Sequence, residues 1–441
     1  MMEQGLDIPY RPRDQIAAFS EDLLRRHLRY CFEHSPYYRQ RFQASGIAPD
    51  DLRAMDDLRL FPLTTKEDLE QNGEALLAVP PSQIVDACQT SGTTGKPVIM
   101  YQTAEDLARL GYNEEISFRM AGMTQDDRVL IACALGRCFM AGLAYFEGVR
   151  RIGAMAIRAG AESPAMLAES VLIYRPTVIV AVPSTALAVA RTLRERGCAP
   201  ETLGVRICIA IGEPVRRADL YLNALGSQVA AQWDAQVLST YASTEIATSF
   251  PDCTAGNGGH VHPDLVVVEL LDDNGEPVPP GCPGEVVATP LQVTGMPLVR
   301  LRTGDIATLH DGPCPCGRNT PRLGPVMGRK QHMLKIHGTT VYPPAVHDVL
   351  HEIPGVCNYF LEVFSEHDLS DRLRVTVGLA PECRLTIGDI AEHIRSRIRL
   401  KPEVRALPVE EVERFTLKDG RRKPIRFFDC RAQRQETCND E

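Results

Sequence analysis

The sequence predicts an α/β protein: a large N-terminal domain of parallel and mixed sheets with helices, a β subdomain behind it, and a small α+β C-terminal domain. Three observations carry this. Short apolar runs alternate with helical patterns from Val85 onward, closely spaced β-like segments replace them from Leu265 to Ala288, and a shorter mixed series follows Gly328-Arg329. At 441 residues the chain exceeds one ordinary core, so division into 1–328 and 329–441 is expected.

Each element has its own signature. Residues 14–69 are charged and helical in pattern, with Leu23, Leu24, His27, Leu28 and Cys31 at helical spacing. The stretch ends at Pro62-Leu63-Thr64-Thr65-Lys66-Glu67-Asp68-Leu69, where Thr64 or Thr65 is expected to cap a short helix opened by acidic residues. Residues 129–133, 178–182 and 205–211 read as buried strands, and 183–196 as an amphipathic helix. That alternation argues for a parallel sheet. The apolar residues 266–271, the turn Asp272-Asp273-Asn274-Gly275 and residues 284–288 argue for antiparallel strands instead. Beyond Gly328-Arg329 the expected order is a strand at 333–336, a helix after Pro344, strands at 359–364 and 373–379, and a helix at 387–400. The polar tail from Cys430 to Glu441 is expected to fray.

Composition narrows the function classes. Hydrophobic residues at 44% and charged residues at 24% fit a soluble globular chain, and no apolar run is long enough to span a bilayer. A net charge of -9 argues against a nucleic-acid partner. Met1-Met2-Glu3-Gln4-Gly5 lacks the basic and apolar regions of a secretory signal, so a cytoplasmic location with mostly reduced thiols is expected for the 14 cysteines.

The chemistry begins at Thr90-Ser91-Gly92-Thr93-Thr94-Gly95-Lys96-Pro97. Loops rich in Gly, Ser and Thr expose N–H groups and hydroxyls that surround phosphate oxygens, and Lys96 adds a point charge. A flexible surface turn has the same composition. A P-loop NTPase is disfavoured, because that motif needs Ser or Thr after Gly-Lys to reach magnesium, and Pro97 has no hydroxyl.

The loop resembles the phosphate loop of the acyl-adenylate-forming superfamily, and within it is most similar to phenylacetate–CoA ligases. His34-Ser35-Pro36-Tyr37-Tyr38-Arg39 and Leu60–Leu69 resemble that subfamily's N-terminal region, so the likeness covers nearly the whole chain. It implies that Ser91, Gly92, Thr93, Thr94 and Lys96 meet the phosphates of ATP. In Tyr241-Ala242-Ser243-Thr244-Glu245, it implies that Tyr241 lies along the adenine, Thr244 contacts the α-phosphate and Glu245 helps hold Mg2+, a hard cation suited to a carboxylate. Gly212-Glu213-Pro214 resembles the adenine-side turn. In Arg302-Thr303-Gly304-Asp305, Asp305 would accept both ribose hydroxyls and Arg302 would approach the phosphate side.

The resemblance extends into the C-terminal part. Gly328-Arg329-Lys330-Gln331 is similar to the junction around which the family's small domain moves, with Gln331 where Asp or Lys is usual. Gly338 would let the backbone approach the pantetheine arm of coenzyme A. Lys423, ahead of Pro424-Ile425-Arg426, matches the family's catalytic lysine, with Lys418 as a nearby competitor. Phe139-Met140-Ala141-Gly142 and Val182-Pro183-Ser184-Thr185 fall where the family builds its acid pocket, and suit plain core equally well.

The tight pair Cys314-Pro315-Cys316 joins Cys253 and His260, with His262 as the alternative histidine. Three Cys and one His form a closed structural zinc set, and the arrangement resembles one in some phenylacetate–CoA ligase relatives. The expected function is ATP-dependent activation of a small, aromatic carboxylic acid as acyl-AMP, then transfer to coenzyme A, in a homodimer. Transfer to another acceptor (carrier protein, amine or other nucleophile) and a non-catalytic nucleotide-binding protein are the alternatives.

Overall fold

The structure is a computed structural model that describes residues 2, 4–90, 98–336, 339–367, 370–417 and 424–431. The chain divides into two compact units, Met1–Leu222 with Gly226–Val326, and Asn223–Leu225 with Met327–Glu441.

The first unit opens with α1 (Arg13–His34), whose buried residues include Leu23, Leu24, His27, Leu28 and Cys31, the stripe expected from their spacing. Pro36 starts α2 (Pro36–Ala44), where its missing N–H costs nothing. In α3 (Lys66–Gln71) the cap is Thr65: its hydroxyl accepts the Asp68 N–H, and the Asp68 carboxylate accepts the Thr65 N–H. Thr64 does different work. Its N–H donates to the Arg300 carbonyl, its own carbonyl accepts the Arg302 N–H, and its hydroxyl donates to the Val299 carbonyl.

Strands β1 (Ile84–Gln89) and β2 (Ile99–Thr103) form an antiparallel hairpin. At its tip the Thr90 N–H donates to the Val98 carbonyl and the Val98 N–H to the Thr90 hydroxyl, both at 3.0 Å. The glycine-rich segment therefore leads into a strand, and α4 (Ala104–Met120) begins only after β2. A P-loop would open directly into a helix. Residues 91–97, with Ser91, Gly92, Thr93, Thr94 and Lys96, lie outside the described residues.

The expected parallel sheet follows. It contains β3 (Arg128–Ala132), β4 (Met155–Ile157), β5 (Val178–Ala181), β6 (Ile207–Ala210), β7 (Gln236–Ser243) and β8 (Thr248–Pro251), in the order β4-β3-β5-β6-β7-β8. All neighbours are parallel except β7 and β8. Helices α5 (Met140–Ile152), α6 (Pro164–Tyr174), α7 (Pro183–Glu195) and α8 (Ala224–Trp233) connect these strands. Burial on both faces explains the unbroken apolar runs. Ile179, Ala181, Cys208 and Ala210 enter one apolar cluster, while Val178, Val180, Ile207 and Ile209 enter another.

The β subdomain contains β9 (Gly259–His260), β10 (Val266–Leu271), β11 (Gly284–Pro290), β12 (Leu301–Ala307), β13 (Leu309–His310) and β14 (Arg322–Leu323). β10, β11 and β12 pair antiparallel, and β14 lies between β13 and β9.

The second unit begins with β15 (Gly328–Arg329), followed by a 3-10 turn, Lys330–His332, that holds Gln331. A hairpin of β16 (Leu334–Ile336) and β17 (Thr339–Val341) precedes α9 (Pro343–His351). Then come β18 (Val356–His367), β19 (Ser370–Leu379), α10 (Ile387–Ile398), β20 (Glu403–Leu407), α11 (Val409–Thr416) and β21 (Phe427–Asp429), with sheet order β20-β19-β18-β21. The expectation of fraying from Cys430 onward needs correction at its start. β21 pairs parallel to β18, and the Cys430 N–H donates to the Val363 carbonyl. The Arg431 guanidinium donates to the carbonyls of Gln331 and Met333 and to Asp371. The pairing is long-range, so three residues between polar flanks gave no periodic signal. Among the described residues no helix is long and apolar enough to cross a membrane.

Candidate functional site

A parallel sheet presents its strand ends on one edge, and ligands bind beyond the carboxyl ends where the strand order reverses. Here the reversal falls at β3, flanked by β4 and β5. The segments after β3, β5 and β6 carry Phe139–Gly142, Pro183-Ser184 and Gly212–Pro214, and the end of β7 with the turn after it carries Tyr241–Glu245. Sequence motifs far apart along the chain thus emerge on one edge.

The ribose motif reaches that edge through a bulge. Val287 of β11 pairs with Arg302 of β12, but Glu285 pairs with Ile306, so a step of two on one strand meets a step of four on the other. Thr303-Gly304-Asp305 thus stand opposite Val286 alone, two residues more than the partner strand. Gly304 sits at φ +74, a left-handed conformation that side chains resist. The Thr303 hydroxyl fastens the bulge, donating to the Val286 carbonyl at 2.8 Å and accepting the Asp305 N–H at 3.1 Å. Bulges re-aim side chains beside sites. This one brings the Asp305 carboxylate, on a residue only 8% exposed, to the Tyr241 hydroxyl, which donates to it at 2.9 Å. The Tyr241 ring stacks on Phe250, its partner on β8, with centroids 5.6 Å apart. Burial first, and Asp305 beside it, push the Tyr241 hydroxyl well above its ordinary pKa, so it stays a donor.

Thr244 and Glu245 occupy the turn between β7 and β8. The Ser243 hydroxyl donates to the Glu245 carboxylate at 2.9 Å, and the Ala247 N–H donates to the Thr244 carbonyl. Beyond β6, Gly212 adopts φ +73 and turns the chain into Glu213. The Glu213 carboxylate accepts the N–H and the hydroxyl of Ser184, each at 3.0 Å. Ser184 opens α7 behind Pro183, so the carboxylate satisfies donors that a helix N-terminus leaves over. The structure thus joins Ser184, expected in the acid pocket, to Glu213, expected on the adenine side.

Arg302 and Gly142 each have close partners within the fold. Arg302 was expected to approach the phosphate side; its guanidinium pairs with the buried Glu285 carboxylate on β11, with Nε at 3.1 and 3.2 Å. Gly142 has a packing role. A Cβ there would lie 2.1 Å from the Ala134 carbonyl oxygen, so only glycine lets α5 approach the segment after β3. Phe139 and Ala141 are half-buried against the apolar cluster of α4, α5 and the sheet. Gly338 and Lys423 lie outside the described residues.

The cysteine cluster is assembled as expected. The side-chain donor atoms of Cys253, His260, Cys314 and Cys316 all lie within 4.8 Å of one another. Cys253 Sγ is 3.6 Å from Cys314 Sγ, and Cys316 Sγ is 3.4 Å from His260 Nε2. The other imidazole nitrogen of His260 bonds the Thr320 hydroxyl at 2.9 Å, which leaves Nε2 toward the sulfurs. His262 instead faces the Ser117 hydroxyl at 3.4 Å and is absent from the cluster. Burial, followed by Arg318 and Arg322, lowers the His260 pKa to about 3, so the ring is neutral. Burial, aided by the adjoining Cys314 and Cys316, pushes Cys253 up to about 12. Three converging sulfurs cannot all ionise without a cation, and three thiolates with one neutral imidazole fit tetrahedral zinc. The described cysteines form no disulfides.

Residues 47–295 match the AMP-binding enzyme family, and residues 338–431 match the AMP-binding enzyme C-terminal domain. The chain is 31% identical to the phenylacetate-coenzyme A ligase of Thermus thermophilus, over 86% of this chain and 84% of that one. It is 29% identical to the phenylacetate-coenzyme A ligase of Escherichia coli, over 88% of each. A crystal structure of 2-hydroxyisobutyryl-CoA ligase, in the postadenylation state, shares the fold at a TM-score of 0.86. That match has 21% identity and covers 96% of this chain and 91% of that one.

Proposed function

The chain belongs to the AMP-binding enzyme family, and from that premise we propose that it activates a small carboxylic acid with ATP and passes the acyl group to coenzyme A. The observation that supports this most is the Tyr241–Asp305 hydrogen bond at the carboxyl edge of the parallel sheet. It joins an aromatic ring suited to adenine with a carboxylate suited to two ribose hydroxyls. The similarity to phenylacetate-coenzyme A ligases supports an aromatic acid and coenzyme A as acceptor.

In the first step a carboxylate oxygen of the acid attacks the α-phosphorus of ATP, and pyrophosphate leaves with the bonding electron pair. In the second the sulfur of coenzyme A attacks the acyl carbon, its proton is lost, and AMP leaves. In this reading Asp305 and Tyr241 fix the nucleoside, while Thr244 and residues 91–96 contact phosphate oxygens. Lys423 stabilises charge on the acyl and α-phosphate oxygens, and Gly338 admits the pantetheine arm. Glu245, with its Ser243 hydrogen bond, would hold Mg2+, which supplies charge neutralisation on the phosphates. Cys253, His260, Cys314 and Cys316 would hold a structural zinc ion, whose part is to tie two loops together. A cytoplasmic homodimer belongs to the same reading, and sedimentation tests the dimer.

Acid-dependent exchange of pyrophosphate into ATP, across aromatic and aliphatic acids, tests the first step. Release of AMP with and without coenzyme A tests the second. The proposal expects exchange with an aromatic acid and AMP turnover that needs coenzyme A. Turnover with another acceptor and none with coenzyme A would overturn the ligase assignment. A panel with no exchange at all would overturn adenylation.

A further inference from the structure

Arg109 is the most deeply buried cation among the described residues, at 1% exposure in the interior of α4. All its bonding acceptors are neutral. Its Nε donates to the Leu291 carbonyl at 2.7 Å and Nη1 to the Ala247 carbonyl at 2.6 Å. Its Nη2 donates to the Leu265 carbonyl at 2.6 Å and to the Thr248 hydroxyl at 3.0 Å. The carboxylates that act on it through space are employed elsewhere. Asp106 accepts the N–H groups of Thr103, Thr294 and Gly295, and Asp264 accepts the Gly5 N–H and the Tyr112 hydroxyl. Burial lowers the pKa of Arg109 to about 10, which leaves it charged at neutral pH.

Taking a guanidinium out of water is costly, and an apolar side chain of similar volume would pack α4 more cheaply. What the cation supplies is geometry. Its acceptors lie on three separate segments: the end of the β7–β8 turn, the residue before β10 and the residue after β11. Ala247 is a non-glycine residue at φ +44, a left-handed conformation that persists only where surroundings enforce it. Its carbonyl goes to Arg109, and so does the side chain of the next residue, Thr248. The guanidinium therefore grips the same turn that carries Thr244 and Glu245, from the side of α4.

We propose that Arg109 is a positioning residue for adenylation. It fixes the turn that presents Thr244 to the α-phosphate and Glu245 to the Mg2+ that it would hold. This rests on the adenylate-forming reading above and adds a residue that no motif contains. Its effect is largest on the step in which pyrophosphate leaves, because Thr244 and Glu245, which would hold Mg2+, both act there, whereas thioester formation from a finished acyl-adenylate keeps only the Thr244 contact to the α-phosphate.

The test compares the two half-reactions in the full-length protein and in Arg109→Met and Arg109→Lys. Pyrophosphate exchange reads the first. Thioester formation from chemically supplied acyl-adenylate reads the second, with the folded fraction measured by circular dichroism. For Arg109→Met, kcat of exchange is expected to fall about 100-fold, the scale of a misplacement near 1 Å, and the Mg2+ requirement to rise. Thioester formation per folded protein is expected to stay within about 3-fold. Arg109→Lys keeps three donors and is expected to recover about 10-fold of the lost exchange, which keeps the test open where the Met variant fails to fold. Equal loss of both half-reactions, or exchange within 2-fold of the parent, would overturn the proposal. A parent protein without acid-dependent exchange refutes the underlying reading instead, before any variant is compared.

Discussion

Replacing Asp305 with alanine is expected to lower kcat/KM for ATP by about 100- to 10,000-fold. The estimate follows from the bonds. A hydrogen bond to a charged group contributes about 1.5–3 kcal/mol, and each 1.4 kcal/mol is roughly tenfold in rate. A carboxylate serving both ribose hydroxyls loses two such bonds when removed. The substitution also leaves the Tyr241 hydroxyl without its partner, at a stability cost of about 1–3 kcal/mol. Tyr241→Phe, which keeps the ring on Phe250, is expected to cost about 10-fold in the same measurement. The two losses are expected to combine non-additively, since the residues share one bond. Steady-state kinetics with ATP varied, beside a thermal melt, separates binding from stability. An Asp305→Ala enzyme with unchanged kcat/KM for ATP would remove Asp305 from the nucleotide site.

The second large effect concerns the cysteine cluster. Cys314→Ser is expected to reduce bound zinc from roughly one ion per chain to below about 0.1, and to lower the unfolding midpoint by about 10 °C. Cys253 and Cys314 lie in separate loops whose sulfurs meet, so loss of an ion held between them would free both. Prolonged chelation of the parent protein is expected to reproduce the drop, and zinc to reverse it. His262→Ala is expected to leave zinc content unchanged, because that ring faces Ser117. Elemental analysis of pure protein checks each point, and parent protein without stoichiometric metal would contradict the assignment.

The parallel sheet was legible because β5 and β6 are buried on both faces, which forces unbroken apolar runs at 178–181 and 207–210. The hairpin around Asp272-Asp273-Asn274-Gly275 was legible from its turn chemistry. The contacts that give the site its meaning were not. Tyr241 and Asp305 are 64 residues apart, and their hydrogen bond depends on a bulge whose sequence trace is one glycine. Arg302 and Glu285 meet across adjacent strands, a pairing that register decides and composition does not. Arg109 sits in a helix rich in charged residues, where an arginine reads as solvated surface; only the packing of α4 reveals its burial. His260 and His262 are both buried, so burial alone would not have chosen between them as ligand; the position of the other donors does.

In the proposed reaction the acid is activated at the α-phosphate of ATP. Isotope transfer tests it most directly. When the substrate acid carries 18O in its carboxylate, attack on the α-phosphorus leaves one labelled oxygen bridging acyl group and phosphate. Displacement by coenzyme A then releases that oxygen with AMP. One 18O atom is expected in the AMP formed, measured by mass spectrometry, and none in pyrophosphate. Label in inorganic phosphate, or turnover with unlabelled AMP, would contradict it.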